Sequence, residues 1–188
     1  MTRTINFSNW KVCAFTAMML ATLLLAIPCL GDSPAVGDTA PDFSSLSTSG
    51  RFFELSGIEG KPVLLSFWSD WCSSERQELT FLKRVSERYP EVVIAIVDSQ
   101  SGAPNIRSLT RIATSLAEFG IGAKILVDRD LEVTGLYNVT ALPTSMLIDP
   151  SGKIAYREAN FFKSDIEQVS ATLDRAISVT FLMEKKTD

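Results

Sequence analysis

Apolar residues fall along the chain in three kinds of run, and each predicts a different element. The first is unbroken: positions 12–30, VCAFTAMMLATLLLAIPCL, hold 19 residues without a charge, preceded only by Arg3 and Lys11. The second kind is short and near-continuous, VLLSFW at 63–68 and VVIAIV at 92–97, as expected of strands buried on both faces. The third is spaced. Leu79, Leu82 and Val85, with Phe81 beside them, predict a helix over 73–89 that Pro90 stops. Asn105 reads as the cap of a second helix running to Phe119, with Ile106, Leu109, Ile112, Ala113 and Leu116 inward.

Shorter signals fill in the rest. A strand near 43–46 and another over 51–55 flank the STSG turn at 47–50. Positions 125–127 are strand-like and 131–137 predict a short helix. The Pro150-Ser151-Gly152 turn between 145–149 and 153–157 predicts an antiparallel hairpin, and 165–182 an amphipathic closing helix. Strands alternating with helices and then a hairpin imply an α/β fold: a central mixed sheet flanked by helices, with an N-terminal β-hairpin extension.

The unbroken run is about as long as a bilayer is thick. It reads as a signal peptide with its apolar region at 14–27, cleaved after Gly31 or Ala35, or as a retained membrane anchor. Lipidation at Cys29 is a third outcome, for which Pro28 is a poor preceding residue. The expected organisation is 1–31 as signal peptide or anchor, 32–42 as a tether, and 43–185 as the folded domain. That places the body outside the cytoplasm, in the periplasm or on the outer face of the inner membrane, touching the membrane only through its N-terminal segment.

Composition narrows the chemistry. The 188 residues carry a net charge of −4; residues 1–31 hold two basic and no acidic residues, so the body stands at −6, which argues against a nucleic-acid partner. There is no histidine, so Ser-His-Asp and Cys-His nucleophiles, His-ligated zinc and imidazole proton shuttles are excluded. The three cysteines are too few for an iron–sulfur cluster of four thiolates or for a disulfide scaffold. No metal or cofactor is called for: Cys72, Glu75 and Glu78 do not make a closed tetrahedral zinc site.

The informative stretch is SFWSDWCSSERQEL, 66–79. A buried strand ends in two tryptophans, Trp68 and Trp71, and Cys72 falls where the next helix begins. Helix N-termini favour thiolate over thiol, which suits a nucleophile, although a lone cysteine is also commonly just a small buried residue. The second piece is ALPTSMLIDPSGKIAYR, 141–157, where Pro143 precedes a strand. X–Pro bonds are the usual source of cis peptides.

Together these segments resemble the thioredoxin superfamily, and within it the extracytoplasmic TlpA/ResA-like thiol-disulfide proteins of AhpC/TSA-redoxin type. The resemblance runs over about 36–182, through VGDTAPDFSSL, GKPVLLSFWSDWC, VVIAIVD and KILVDRDLEVTGLYNVTALPTSMLIDPSGKI. It implies a thioredoxin-like fold, Cys72 as a surface-facing nucleophile, Pro143 as a cis-proline beside it, and Glu78 as the active-site glutamate. It also implies an extended partner peptide paired with the Thr144 backbone. Trp68, Trp71, Ser73, Pro143 and Thr144 are the implied peptide-binding residues, and the implied partner is a thiol- or disulfide-bearing protein or a small thiol.

The chain departs from the family's C-x-x-C pair, reading C-S-S-E, so Glu75 stands where the resolving cysteine is expected. With residues 1–31 removed, Cys72 is the body's only cysteine. The helix terminus lowers a Cys72 pKa, while Asp70, Glu75 and Glu78 raise it. Three functions fit. One is a monothiol oxidoreductase that forms mixed disulfides through Cys72 and is resolved by a second molecule. Another is a non-catalytic peptide-binding module on the same fold. The third is a thiol peroxidase: CSSE echoes C-P-T-E, but Leu65 and Pro143 stand where a Pro and an Arg are expected.

Overall fold

In the computed structural model, residues 33–58, 60–69, 75–100, 105–159 and, further on, 171, 174, 175 and 178 are described. Every side chain of β3 (Val63–Trp68) is buried, because both faces of this strand are covered. Successive side chains point to opposite faces, so Leu64 and Trp68 join one apolar cluster, while Val63, Leu65 and Phe67 join another. β4 (Val93–Asp98) runs parallel to β3, and β6 (Thr144–Ile148) runs antiparallel on its other side. With β1 (Ser44–Ser47), β2 (Phe52–Glu54), β5 (Lys124–Val127) and β7 (Ile154–Ala159), the described residues form a seven-stranded mixed sheet ordered β2-β1-β5-β4-β3-β6-β7.

Helices cover the two faces. α1 (Glu75–Arg88) lays Leu79, Phe81, Leu82 and Val85 on Leu64, Trp68, Ile94 and Ile96. α2 (Ile106–Glu118) adds Ile112 and Leu116 to the same cluster. α3 (Glu132–Leu136) brings Val133 to the opposite face, where Tyr137, Leu126, Met146 and Phe53 pack. Burying these clusters drives folding at roughly 25 cal/mol per Å² of apolar surface. The N-terminal hairpin, β1 with β2, docks through β1 on β5. Architecture, strand positions and hairpins are as the sequence leads one to expect.

The departures have local causes. On α2, Ile106 is 79% exposed and Ala113 is exposed, whereas Ser108 is fully buried. Positions 108, 112 and 116 form one row at i, i+4, i+8 that defines the inward face, and 106 and 113 lie on its flanks. Asn105 caps the helix as expected, its side chain accepting from the Arg107 N–H at 3.0 Å. The short helix begins at Glu132, after a 3-10 turn at Arg129–Leu131 in which Asp130 and Leu131 take positive φ.

The closing helix expected at 165–182 lies mostly outside the described residues; those described there are helical, and Arg88 pairs with Asp174 at 2.8 Å. The 1–31 segment lies outside them entirely. Among the described residues, no helix is long and apolar enough to cross a membrane. Within the stretch read as a tether, Gly37 and Ala40 donate to Ile154 and Gly152, and Thr39 bridges Lys153.

Candidate functional site

β3 and β4 end side by side, Trp68 against Asp98, and β6 starts at the same end, Thr144 opposite Phe67. The chain leaves this end of β3 through the fully buried Ser69 and resumes as α1 at Glu75. Trp71, Cys72 and Ser73 lie between them, outside the described residues, as does the side chain of Glu75. The Leu142–Pro143 bond that leads into β6 is cis. The sheet topology therefore brings the flanks of the Cys72 segment and the Pro143 segment to one end of the sheet.

Glu78 sits one turn into α1, and its phase with Leu82 and Val85 turns it inward. It is fully buried. Ser66 on β3 donates its hydroxyl to Glu78 Oε1, and Ser145 on β6 donates to Ser66 Oγ at 3.2 Å. Among the described residues, Oε2 has no hydrogen-bond partner, nor does the Trp68 indole N–H or the Tyr156 hydroxyl. Burial disfavours the carboxylate and pushes the Glu78 pKa up to about 8, with the Ser66 hydrogen bond pulling the other way. A carboxyl so placed holds a proton at neutral pH and can give it up near pH 8.

Two residues read from sequence as peptide-binding are buried at this end of the sheet. Trp68 is 1% exposed and packs in the core under α1, because the last residue of a strand covered on both faces still faces a helix. Thr144 is buried between its register partners Phe67 and Ala159, and its hydroxyl donates to Ala141 O at 2.6 Å. The backbone at this end that precedes any strand pairing is Ala141–Pro143, whose Ala141 and Leu142 are half-buried.

Sequence reasoning passed over the polar network beside this end. Asp128 is buried and accepts from the Val133 N–H at 2.9 Å, the Thr134 N–H at 2.8 Å and the Thr134 hydroxyl, thereby capping α3. The Thr134 hydroxyl also hydrogen-bonds to Ser99 Oγ at 2.9 Å. Asp98 accepts from Ser108 and Gln100. Arg157 of β7 donates to the carbonyls of Pro34, Tyr137 and Asn138 at 3.1–3.2 Å, tying the α3–β6 connection to the start of the domain. A cavity of about 550 Å³, lined by Asp42, Leu55, Lys61, Val63 and Asp149 among others, lies at the opposite end of β3. Among the described residues no cluster of acidic or thiol side chains could hold a metal ion.

The comparisons with known proteins agree with this geometry. A family model described as the AhpC/TSA family matches residues 36–157. A thiol-disulfide oxidoreductase ResA from Geobacillus kaustophilus is 34% identical over 135 residues, 71% of this chain and 75% of that one. The ResA of Bacillus subtilis is 30% identical over 123 residues, 65% of this chain and 66% of that one. Among solved structures, a protein described as a candidate thiol:disulfide interchange protein DsbE from Chlorobium tepidum superposes with a TM-score of 0.64. It is 27% identical and covers 77% of this chain and 99% of its own. A secreted Mycobacterium tuberculosis disulfide oxidoreductase, 21% identical, shares the fold with a TM-score of 0.58 over 71% of this chain and 95% of its own. The fold is thioredoxin-like, and the chain is homologous to thiol-disulfide oxidoreductases.

Proposed function

The chain belongs to the AhpC/TSA family, and from that premise we propose that it is an exported thiol-disulfide oxidoreductase of ResA/DsbE type working through the single thiol of Cys72. The observation that carries the reading is Glu78: a fully buried carboxyl, six residues past Cys72 in the chain, with its pKa near 8. A buried carboxyl with a strongly raised pKa is what acid–base sites build, and thiol exchange needs a proton acceptor and donor.

In the proposed cycle the Cys72 thiol gives its proton to the ionised fraction of Glu78, which grows as pH approaches 8, and the thiolate attacks a disulfide of the partner. A Cys72–partner S–S bond forms as the partner's own S–S bond breaks, and the leaving thiolate takes the proton back from Glu78. Glu75 stands where a resolving thiol is expected, so a second, external thiol attacks the mixed disulfide and frees Cys72. Partner chain docks alongside Ala141–Pro143, where the backbone precedes the pairing of β6, and Trp71 and Ser73 are the further residues assigned to it. The apolar 12–30 run, behind Arg3 and Lys11, supports export, and the partner is a protein disulfide or a small thiol outside the cytoplasm.

The test is adduct formation. Incubated with a disulfide-bearing peptide, the chain carrying Cys13→Ser and Cys29→Ser, so that Cys72 is its one thiol, should gain the mass of one half-disulfide, released at a rate proportional to added thiol. With Cys72→Ser added it should gain none. Exchange that survives Cys72→Ser would overturn the reading. Glu75 favours one rival, a peptide-binding module without turnover. Peptide capture undiminished in Cys72→Ser, with no covalent adduct in the wild type, would establish it instead. The peroxidase reading has less behind it, because the relatives compared carry names for disulfide chemistry.

A further inference from the structure

The strand register sets three polar side chains in a row across the face beneath α1. Ser66 on β3 is opposite Ser145 on β6, and Ser145 is opposite Glu158 on β7. Both serines are fully buried, while Glu158 is partly exposed. Their surroundings on this face are apolar or aromatic: Leu64, Trp68, Leu147 and Tyr156. A hydroxyl inside a buried strand is costly unless it is bonded. Here each serine uses its single proton in the same direction, Ser145 to Ser66 and Ser66 to Glu78 Oε1. Directly opposed residues on antiparallel strands have Cβ atoms about 5 Å apart, so Glu158 is within side-chain reach of Ser145. Its charge also helps to hold the neighbouring Tyr156 hydroxyl protonated, after burial as the main cause.

We propose that Ser66 and Ser145 are positioning residues that form a proton path from Glu78 across β3 and β6 to Glu158 at the β7 side of the sheet. The path rests on the reading of Glu78 as the acid–base group of the site, and it lets the buried carboxyl reload from solvent away from the face that a docked partner covers. The balance is simple. A solvent proton delivered by way of Glu158 binds Ser145 Oγ, the hydroxyl proton of Ser145 moves to Ser66 Oγ, and that of Ser66 moves to Glu78 Oε1. Glu78 ends neutral, and each serine ends with one proton, its hydrogen bond reversed. Unloading runs the same steps backwards.

Among the described residues, four polar groups face the path. Trp68 Nε1 comes from β3, Tyr156 and Glu158 from β7, and Asp98 from β4. The last of these is already bonded to Gln100 and Ser108.

The experiment follows the carboxyl itself. Full-length protein in detergent is subjected to a pH jump across 8, and the infrared band of the neutral Glu78 carboxyl is timed, with Glu78→Gln identifying the band. Ser145→Ala should slow loading about tenfold, the weight of one hydrogen bond in a barrier. Ser145→Thr, which keeps a hydroxyl, should restore it, and Glu158→Gln should slow it without touching the core. Ser66→Ala should also raise the equilibrium midpoint by about one pH unit, because a bond to the ionised form is lost. Loading at the wild-type rate in both Ser145→Ala and Glu158→Gln would overturn the path. The same jump in Cys72→Ser keeps this result separate from the disulfide chemistry, which is read by adduct mass alone.

Discussion

Replacing Glu78 by Gln removes an ionisable group from the core under α1 while nearly keeping its shape. In the fold this carboxyl titrates at about 8, against an ordinary 4.5. Between those values the native chain holds a proton that the unfolded chain has released, so stability falls as pH rises. The contribution is fully present below about 4.5 and is lost by about 8. The gap of about 3.5 pH units, at about 1.36 kcal/mol each, corresponds to about 5 kcal/mol. This is an upper limit, since water drawn in around a charged Glu78 would soften it. Gln stays neutral throughout and keeps an acceptor for Ser66. Its amide N–H groups meet the same surroundings, in which Oε2 has no partner among the described residues, at a pH-independent cost of about 1–3 kcal/mol. Glu78→Gln should therefore be the less stable chain at pH 5 and the more stable at pH 9, with the two crossing near pH 6. Urea unfolding followed by far-UV circular dichroism at pH 5, 7 and 9 measures the difference, and other titrating groups cancel in it. A difference that stays constant from pH 5 to 9 would refute the argument that burial holds this carboxyl neutral.

Other substitutions probe the scaffold. Leu82→Ala, at a fully buried position in the same cluster, should cost about 2–5 kcal/mol of unfolding free energy in urea. Asp128→Ala removes the bonds to the Val133 and Thr134 N–H groups and should cost about 1–2 kcal/mol; an unchanged urea midpoint would show that α3 does not need its cap. Gly152 turns at a φ of +81°, so Gly152→Ala should cost about 1 kcal/mol, read as a fall in thermal midpoint. Arg157→Met releases the Pro34, Tyr137 and Asn138 carbonyls. Hydrogen exchange at the amides of 137–139 should quicken, while that of β3 stays as it was.

Why some of this was legible in the sequence and some was not comes down to periodicity. Runs such as VLLSFW announce strands covered on both faces, and the 79/82/85 spacing announces α1. Glu78 shares that phase, so its inward direction follows from the helix period alone. Trp68 was harder to place. An aromatic at a strand's end reads equally well as core or as binding surface, and only the helix packed above it decides. Ile106 and Ala113 are apolar and so predict an inward position, whereas the inward row is 108, 112 and 116, with a serine in it that serves Asp98. Asp128 carries no periodic signal at all. Its cap reaches over Asp130 and Leu131, two residues with left-handed backbone, so the usual cap spacing is missing. The bonds of Ser66 and Ser145 exist only once β3 and β6 are in register, which no local pattern specifies.

The antiparallel contact of residues 37–40 with 152–154, together with the grip of Arg157 on Pro34, has a mechanical consequence. A force applied at the N-terminal side of the domain meets these bonds before it reaches β1. A short antiparallel pairing loaded along its length resists in shear, with several bonds bearing the load together. The strain passes into the β6–β7 hairpin and, through Arg157, into the carbonyls of Tyr137 and Asn138 just ahead of Pro143. The segment proposed to receive a partner is thus the one that would feel a pull on the N-terminal end.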